Sequence, residues 1–115
     1  MKLLLLCAVL LIVTSCGCAG VGIFEVRPGT ERTLSVGQTF TAEYWEGGEC
    51  RGGRDRHLDR QEMRWWTPDS TVLSVDSLSG LVRARAVGDG RVWGTSPGVP
   101  MQMENANARI LVHVH

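Results

Sequence analysis

The chain has 115 residues, 43% of them hydrophobic, with one lysine and eleven arginines against twelve acids. That length suits one domain, and the balanced charge gives no electrostatic footprint for nucleic acid. Four cysteines without a C-x-x-C spacing give no support for a zinc or redox site. Lys2 opens the chain, and residues 3–13 are an unbroken apolar run. Such a run matches a secretory h-region and falls well short of the roughly 20 residues a spanning helix needs. The first residues are therefore expected to be a signal peptide. Residues 16–22 are small and glycine-rich, a tether spanning at most about 20 Å at about 3.5 Å per residue. The folded domain is expected over residues 23–115.

From Ile23 onward, short runs of period two alternate with turn residues. Residues 23–27 make a first strand, ended by Pro28-Gly29, and residues 32–36 continue it to Gly37. Phe40, Ala42 and Tyr44 alternate with polar residues, as do Met63 and Trp65. Val72, Leu73 and Val75 lead to Asp76, and residues 81–86 follow a turn at Ser79-Gly80. Gly88-Asp89-Gly90 reads as a tight turn before residues 92–95. Ile110, Val112 and Val114 share one side of the last run. No segment keeps a helical period. About seven strands near ten-residue spacing predict an all-β, two-sheet sandwich, with a barrel as the alternative.

Two resemblances sharpen this. Val13-Thr14-Ser15-Cys16 resembles a bacterial lipobox, which implies a signal peptide over residues 1–15, lipidation at Cys16 and a mature chain starting there; ordinary signal-peptide cleavage near Ala19-Gly20, or an uncleaved anchor, is the alternative. The run Leu34-Ser35-Val36-Gly37, Phe40, Ala42, Met63-Arg64-Trp65, Val72-Leu73-Ser74-Val75-Asp76, Gly80-Leu81-Val82-Arg83-Ala84, Gly88 with Val92 and residues 110–114 resembles the bacterial Ig-like domain, group 2, of invasin- and intimin-type adhesins. The resemblance implies an Ig-like sandwich with Trp65, Met63, Val75 and Val82 in the core. It leaves Trp66 pointing outward or lying at the sheet edge under a loop. Residues 46–61 and 96–107 are longer than the family pattern. Its topology also implies that the N-terminus, the 46–61 insert and the last loop share one end. Cys18 could then pair with Cys50, a link worth about 2–4 kcal/mol.

The candidate ligand-contact surface comprises Trp66, Arg51, Arg54 and Arg56 of the insert, and Met101 and Met103 of the last loop. Each has a plainer reading. The insert's charges cancel, so it is also what a solvated excursion looks like, and the methionines could fold back over Trp66. His113 and His115 form an H-x-H pair, a weak metal candidate because no third ligand lies within sequence reach. No G-x-S-x-G or H-E-x-x-H motif occurs, so neither catalysis nor a cofactor is expected. The expected function is a non-catalytic, membrane-anchored binding or adhesion module of the bacterial cell envelope. The expected partner is a protein or cell-surface glycan, with the outer membrane favoured where two membranes exist because Gly17 replaces a retention aspartate. A passive spacer, or an accessory subunit of an envelope complex, is the rival reading; a periplasmic metal-binding protein is a third.

Overall fold

The computed structural model describes residues 21–49 and 56–115. Residues 1–15, where a signal peptide is expected, and Cys16, Cys18, Cys50, Arg51 and Arg54 lie outside those residues. Ten strands form among the described residues: β1 (Val21–Arg27), β2 (Glu31–Leu34), β3 (Thr39–Thr41), β4 (Glu43–Glu49), β5 (Arg56–Arg60), β6 (Arg64–Trp66), β7 (Leu73–Val75), β8 (Leu81–Ala84), β9 (Gly88–Thr95) and β10 (Ala108–Val114), with a 3-10 turn at Met103–Asn105. They arrange as a four-stranded sheet β2-β10-β9-β6, a three-stranded sheet β3-β8-β7, and a three-stranded sheet β1-β4-β5. The fold is an all-β sandwich.

The first two sheets account for seven strands, and the other three come from β1 and from strands bordering the insert. β3 and β4 are nearly one strand: only Ala42 separates them, its amide bonded to the Gly80 carbonyl at 2.8 Å. The 46–61 insert is therefore not simply a loose excursion, since its described residues lie mostly in β4 and β5. Contact clustering divides the chain in two. The smaller unit holds, among described residues, 21–23, 46–49 and 56–59, where His57 Nε2 lies 2.9 Å from Asp59 Oδ2. The larger unit holds residues 24–45 and 60–115 and contains the sandwich.

Within the larger unit, alternation decides which side chains go inside. Along β10, Ala108, Ile110, Val112 and Val114 are buried while Arg109 and Leu111 are exposed. A one-residue slip would turn that whole apolar row to water, and at about 1.5–3 kcal/mol per buried branched side chain the register is strongly specified. β10 pairs antiparallel with β9 and parallel with β2, so it is sheathed on both sides. The turn from β7 to β8 is set by Asp76, whose Oδ1 accepts from the amides of Ser79 at 2.8 Å and Leu78 at 3.0 Å. Those backbone hydrogen bonds, led by Ser79, hold the Asp76 carboxyl below its usual pKa. Gly80 completes the turn at φ +77°, a left-handed conformation that favours glycine.

One expectation is corrected. Gly88-Asp89-Gly90 is not a turn: all three residues are in β9, and the chain bends at Ala86 and Val87 instead. Glycine is needed here for space. A side chain at Gly90 would run into Leu73 of the facing sheet.

Trp65, 3% exposed, is the largest side chain of the core. It stands opposite Gly94 on β9. A methyl added at Gly94 would sit 2.8 Å from Cζ3 of the Trp65 ring, and one added at Gly80 would sit 3.0 Å from its Nε1. The indole therefore bridges from its own sheet to the β7–β8 turn, over a floor that only glycine leaves open. Gly94→Ala should lower stability by about 1–3 kcal/mol through overpacking, measured by urea unfolding. An unchanged midpoint would show that the indole has room to shift.

Candidate functional site

The same alternation that buries one face of the four-stranded sheet builds the other. On β9, Asp89, Arg91 and Trp93 project away from buried Gly90, Val92 and Gly94. On β6, Trp65 points in and Trp66 out. Register then lines up the outward residues. Arg109 stands opposite Trp93, and Trp93 stands opposite Trp66, making one row across three strands. The next row is Leu111 opposite Arg91, and the next His113 opposite Asp89.

The two tryptophans meet edge to face, with ring centroids 4.6 Å apart and planes at 79°. This is a favoured aromatic geometry, worth about 0.5–1.5 kcal/mol beyond burial. It leaves Trp93 only 8% exposed. The Trp66 indole N–H is also buried and has no acceptor among the described residues, so ring contacts rather than hydrogen bonding hold that side chain. Arg91 lies over the Trp93 ring at 5.4 Å. Asp69 fixes it there: Oδ2 accepts from the Arg91 amide at 2.8 Å and Nε at 3.1 Å, and Oδ1 accepts from its terminal nitrogen at 3.3 Å. The Arg91 side-chain hydrogen bonds, ahead of its backbone one, draw the Asp69 pKa below the ordinary carboxylate value.

Grooves lie on either side of the aromatic pair. One, of about 480 Å³, is lined by Thr30, Arg91, Trp93, Met103, Arg109 and Leu111. The other, of about 370 Å³, includes Trp66, Met101, Thr67, Leu73 and Arg85. In the first groove Arg91 is neutralised by Asp69, but Arg109 is not neutralised. Its guanidinium donates to the Met103 carbonyl at 3.3 Å and makes no ion pair among the described residues. A smaller cleft of about 240 Å³ beside Met63 and Trp65 is lined by Glu43 and Arg60, which pair with each other at 3.2 Å, and by Glu62, which pairs with Arg64 at 3.2 Å. It offers no unbalanced charge.

The expected site residues are thus dispersed. Trp66 and Met101 share one groove, Met103 lines the other, and both methionines are about half exposed. Arg56 is exposed on β5 in the smaller unit. Trp65, Met63 and Val82 are buried, and Val75 packs partly buried against them. Arg91, Trp93, Arg109 and Leu111 were not singled out in the sequence. Their signal was present as the outward halves of R-V-W and R-I-L, read there only for the apolar residues that face inward.

His113 and His115 are not poised as joint ligands. His113 Nδ1 lies 2.8 Å from Asp89 Oδ1 and its Nε2 lies 2.6 Å from Glu31 Oε1, while His115 Nε2 sits 3.3 Å from Ser35 Oγ. A metal at His113 would have to displace one of two carboxylate contacts. Among the described residues no group of three or more His, Cys, Asp or Glu side chains is arranged to hold a metal ion. What His113 does is tie β2, β10 and β9 together. Hydrogen bonds to Glu31 first and Asp89 second raise its pKa above the ordinary 6.5.

No protein-family model matches the chain, and no curated protein matches it.

Because the folded state holds the His113 proton more tightly than the unfolded chain, the stability from this contact is fully present below the unfolded value of 6.5. It is lost as pH rises through the higher folded value. The thermal midpoint should therefore fall between mildly acidic and mildly alkaline buffer, and His113→Gln should flatten that fall. Parallel profiles for the two proteins would remove His113 as its source.

Proposed function

We propose that this chain is a non-catalytic binding module of the bacterial cell envelope: an Ig-like group 2 sandwich, exported, held to the membrane by lipid at Cys16, and presenting the outer face of its four-stranded sheet to a protein or cell-surface glycan. The observation that carries this reading is the Arg109–Trp93–Trp66 row with the groove beside it. Interfaces enrich tryptophan, arginine and methionine, and residues that dominate binding energy are most often tryptophan, tyrosine and arginine. Here two tryptophans and two arginines occupy outward strand positions on one sheet face, where the core has no need of them, and a methionine of the 3-10 turn lies beside them. The lipobox resemblance at residues 13–16 supports the anchor, and the all-β sandwich accords with the Ig-like resemblance.

The reading is tested in native envelopes. Crosslinking followed by affinity capture should recover a reproducible partner with the wild-type chain and lose it with Arg109→Glu, a surface change that leaves the buried row of β10 intact. Cys16→Ser should abolish incorporation of radiolabelled palmitate and release the chain from the membrane fraction. Equal recovery by wild type and Arg109→Glu would dismiss this face as the binding site; unchanged palmitate labelling in Cys16→Ser would dismiss the anchor.

A further inference from the structure

The groove beside Trp93 is selective in its chemistry. Its charged lining is two guanidiniums, and Asp69 neutralises only that of Arg91. Among the described residues Arg109 has no carboxylate partner, so its positive charge remains for a ligand. Two acids on the same sheet face, Glu31 and Asp89, are engaged elsewhere, since both face His113. Around Arg109 the lining is apolar and adaptable, with Leu111 39% and Met103 53% exposed. Methionine re-packs readily around varied side chains.

We infer that this groove takes a short segment of a protein partner in which an aspartate or glutamate sits close to a leucine, methionine or aromatic side chain. The carboxylate pairs with Arg109, and the apolar side chain covers Leu111, Met103 and the rim of Trp93. Charge complementarity sets the number of acids: one unpaired guanidinium calls for one carboxylate. The remaining chemistry sets the class. A sugar is held by stacking on an open aromatic face, and Trp93 offers none, since Trp66 packs against it at 79°, Arg91 lies over it and only 8% of the residue is exposed. An alkyl chain needs enclosure along its length, and this groove lies on the surface of a sheet. A peptide with one side chain to bury and one charge to neutralise needs no more than is present.

This inference rests on the sheet face being the binding site, and its test separates the two. The full chain in detergent is applied to an array of short peptides pairing Asp or Glu with Leu, Met or Phe, beside matched peptides with Asn or Gln. Affinities of selected peptides are then measured by fluorescence anisotropy, with oligogalacturonate and laurate as competing probes. The acidic–apolar peptides should bind at least about tenfold more tightly than their amide counterparts, as a charge-assisted hydrogen bond predicts. Arg109→Gln and Leu111→Asp should each remove that preference while leaving the near-ultraviolet circular dichroism unchanged. A conservative Leu111→Met change should keep it. Binding of oligogalacturonate or laurate, but not of peptides, that depends on Arg109 would overturn the peptide inference and leave the face as the site. If no probe's binding depends on Arg109 or Leu111, both the inference and the face fall.

Discussion

Everything on the outer face of the four-stranded sheet depends on where one indole goes on the inner face. Trp65 is buried opposite Gly94 and against Gly80, and its neighbour in a strand must point the other way. Trp66 therefore faces outward, opposite Trp93, with no freedom of register left to move it. The core and the candidate site are two readings of the same strand. A change that lets Trp65 rotate out would disassemble the aromatic pair on the far side of the sheet, without touching either of its members.

Around that constraint several of the charges are arranged in pairs. Arg91 has Asp69, Arg60 has Glu43, Arg64 has Glu62, and His113 has two carboxylates. Most of these are surface pairs of small individual worth, but together they decide which charges can serve a ligand. Arg109 is left to a backbone carbonyl, next to an apolar groove. In a chain whose formal charge is zero, specificity has to come from such local imbalance rather than from a net field.

The sandwich was legible because its signals are local. V-D-S-L-S-G spells out the β7–β8 turn through the Asp76 carboxylate and Gly80, and the buried alternation of Ile110, Val112 and Val114 marks β10 by itself. The alternation around Met63 and Trp65 marks a strand, and it is the Ig-like resemblance that implies Trp65 rather than Trp66 for the core. The site was less legible. Arg109, Trp93 and Trp66 are far apart in the chain, and only pairing register brings them into one row. The alternation that flags a strand also discards its outward residues as solvent-facing, which is how Arg91 and Trp93 escaped notice. Gly88 to Gly90 was misread for a related reason: glycine density signals a turn, and here it marks where β9 must stay flat beneath Val72 and Leu73.

The parallel pairing of β2 with β10 has a consequence for how the protein comes into being. The registered residues Glu31 and Leu111 are far apart in sequence, and β10 fills the slot between β2 and β9. Such long-range pairing is slow to form because the loop must close before its contacts gain anything. Arg109 and Leu111 ride on β10, so until that strand docks, the face has its tryptophans but neither its unpaired cation nor its second apolar wall. The face is thus complete only once β10 has docked between β2 and β9, which makes its assembly inseparable from closure of the four-stranded sheet.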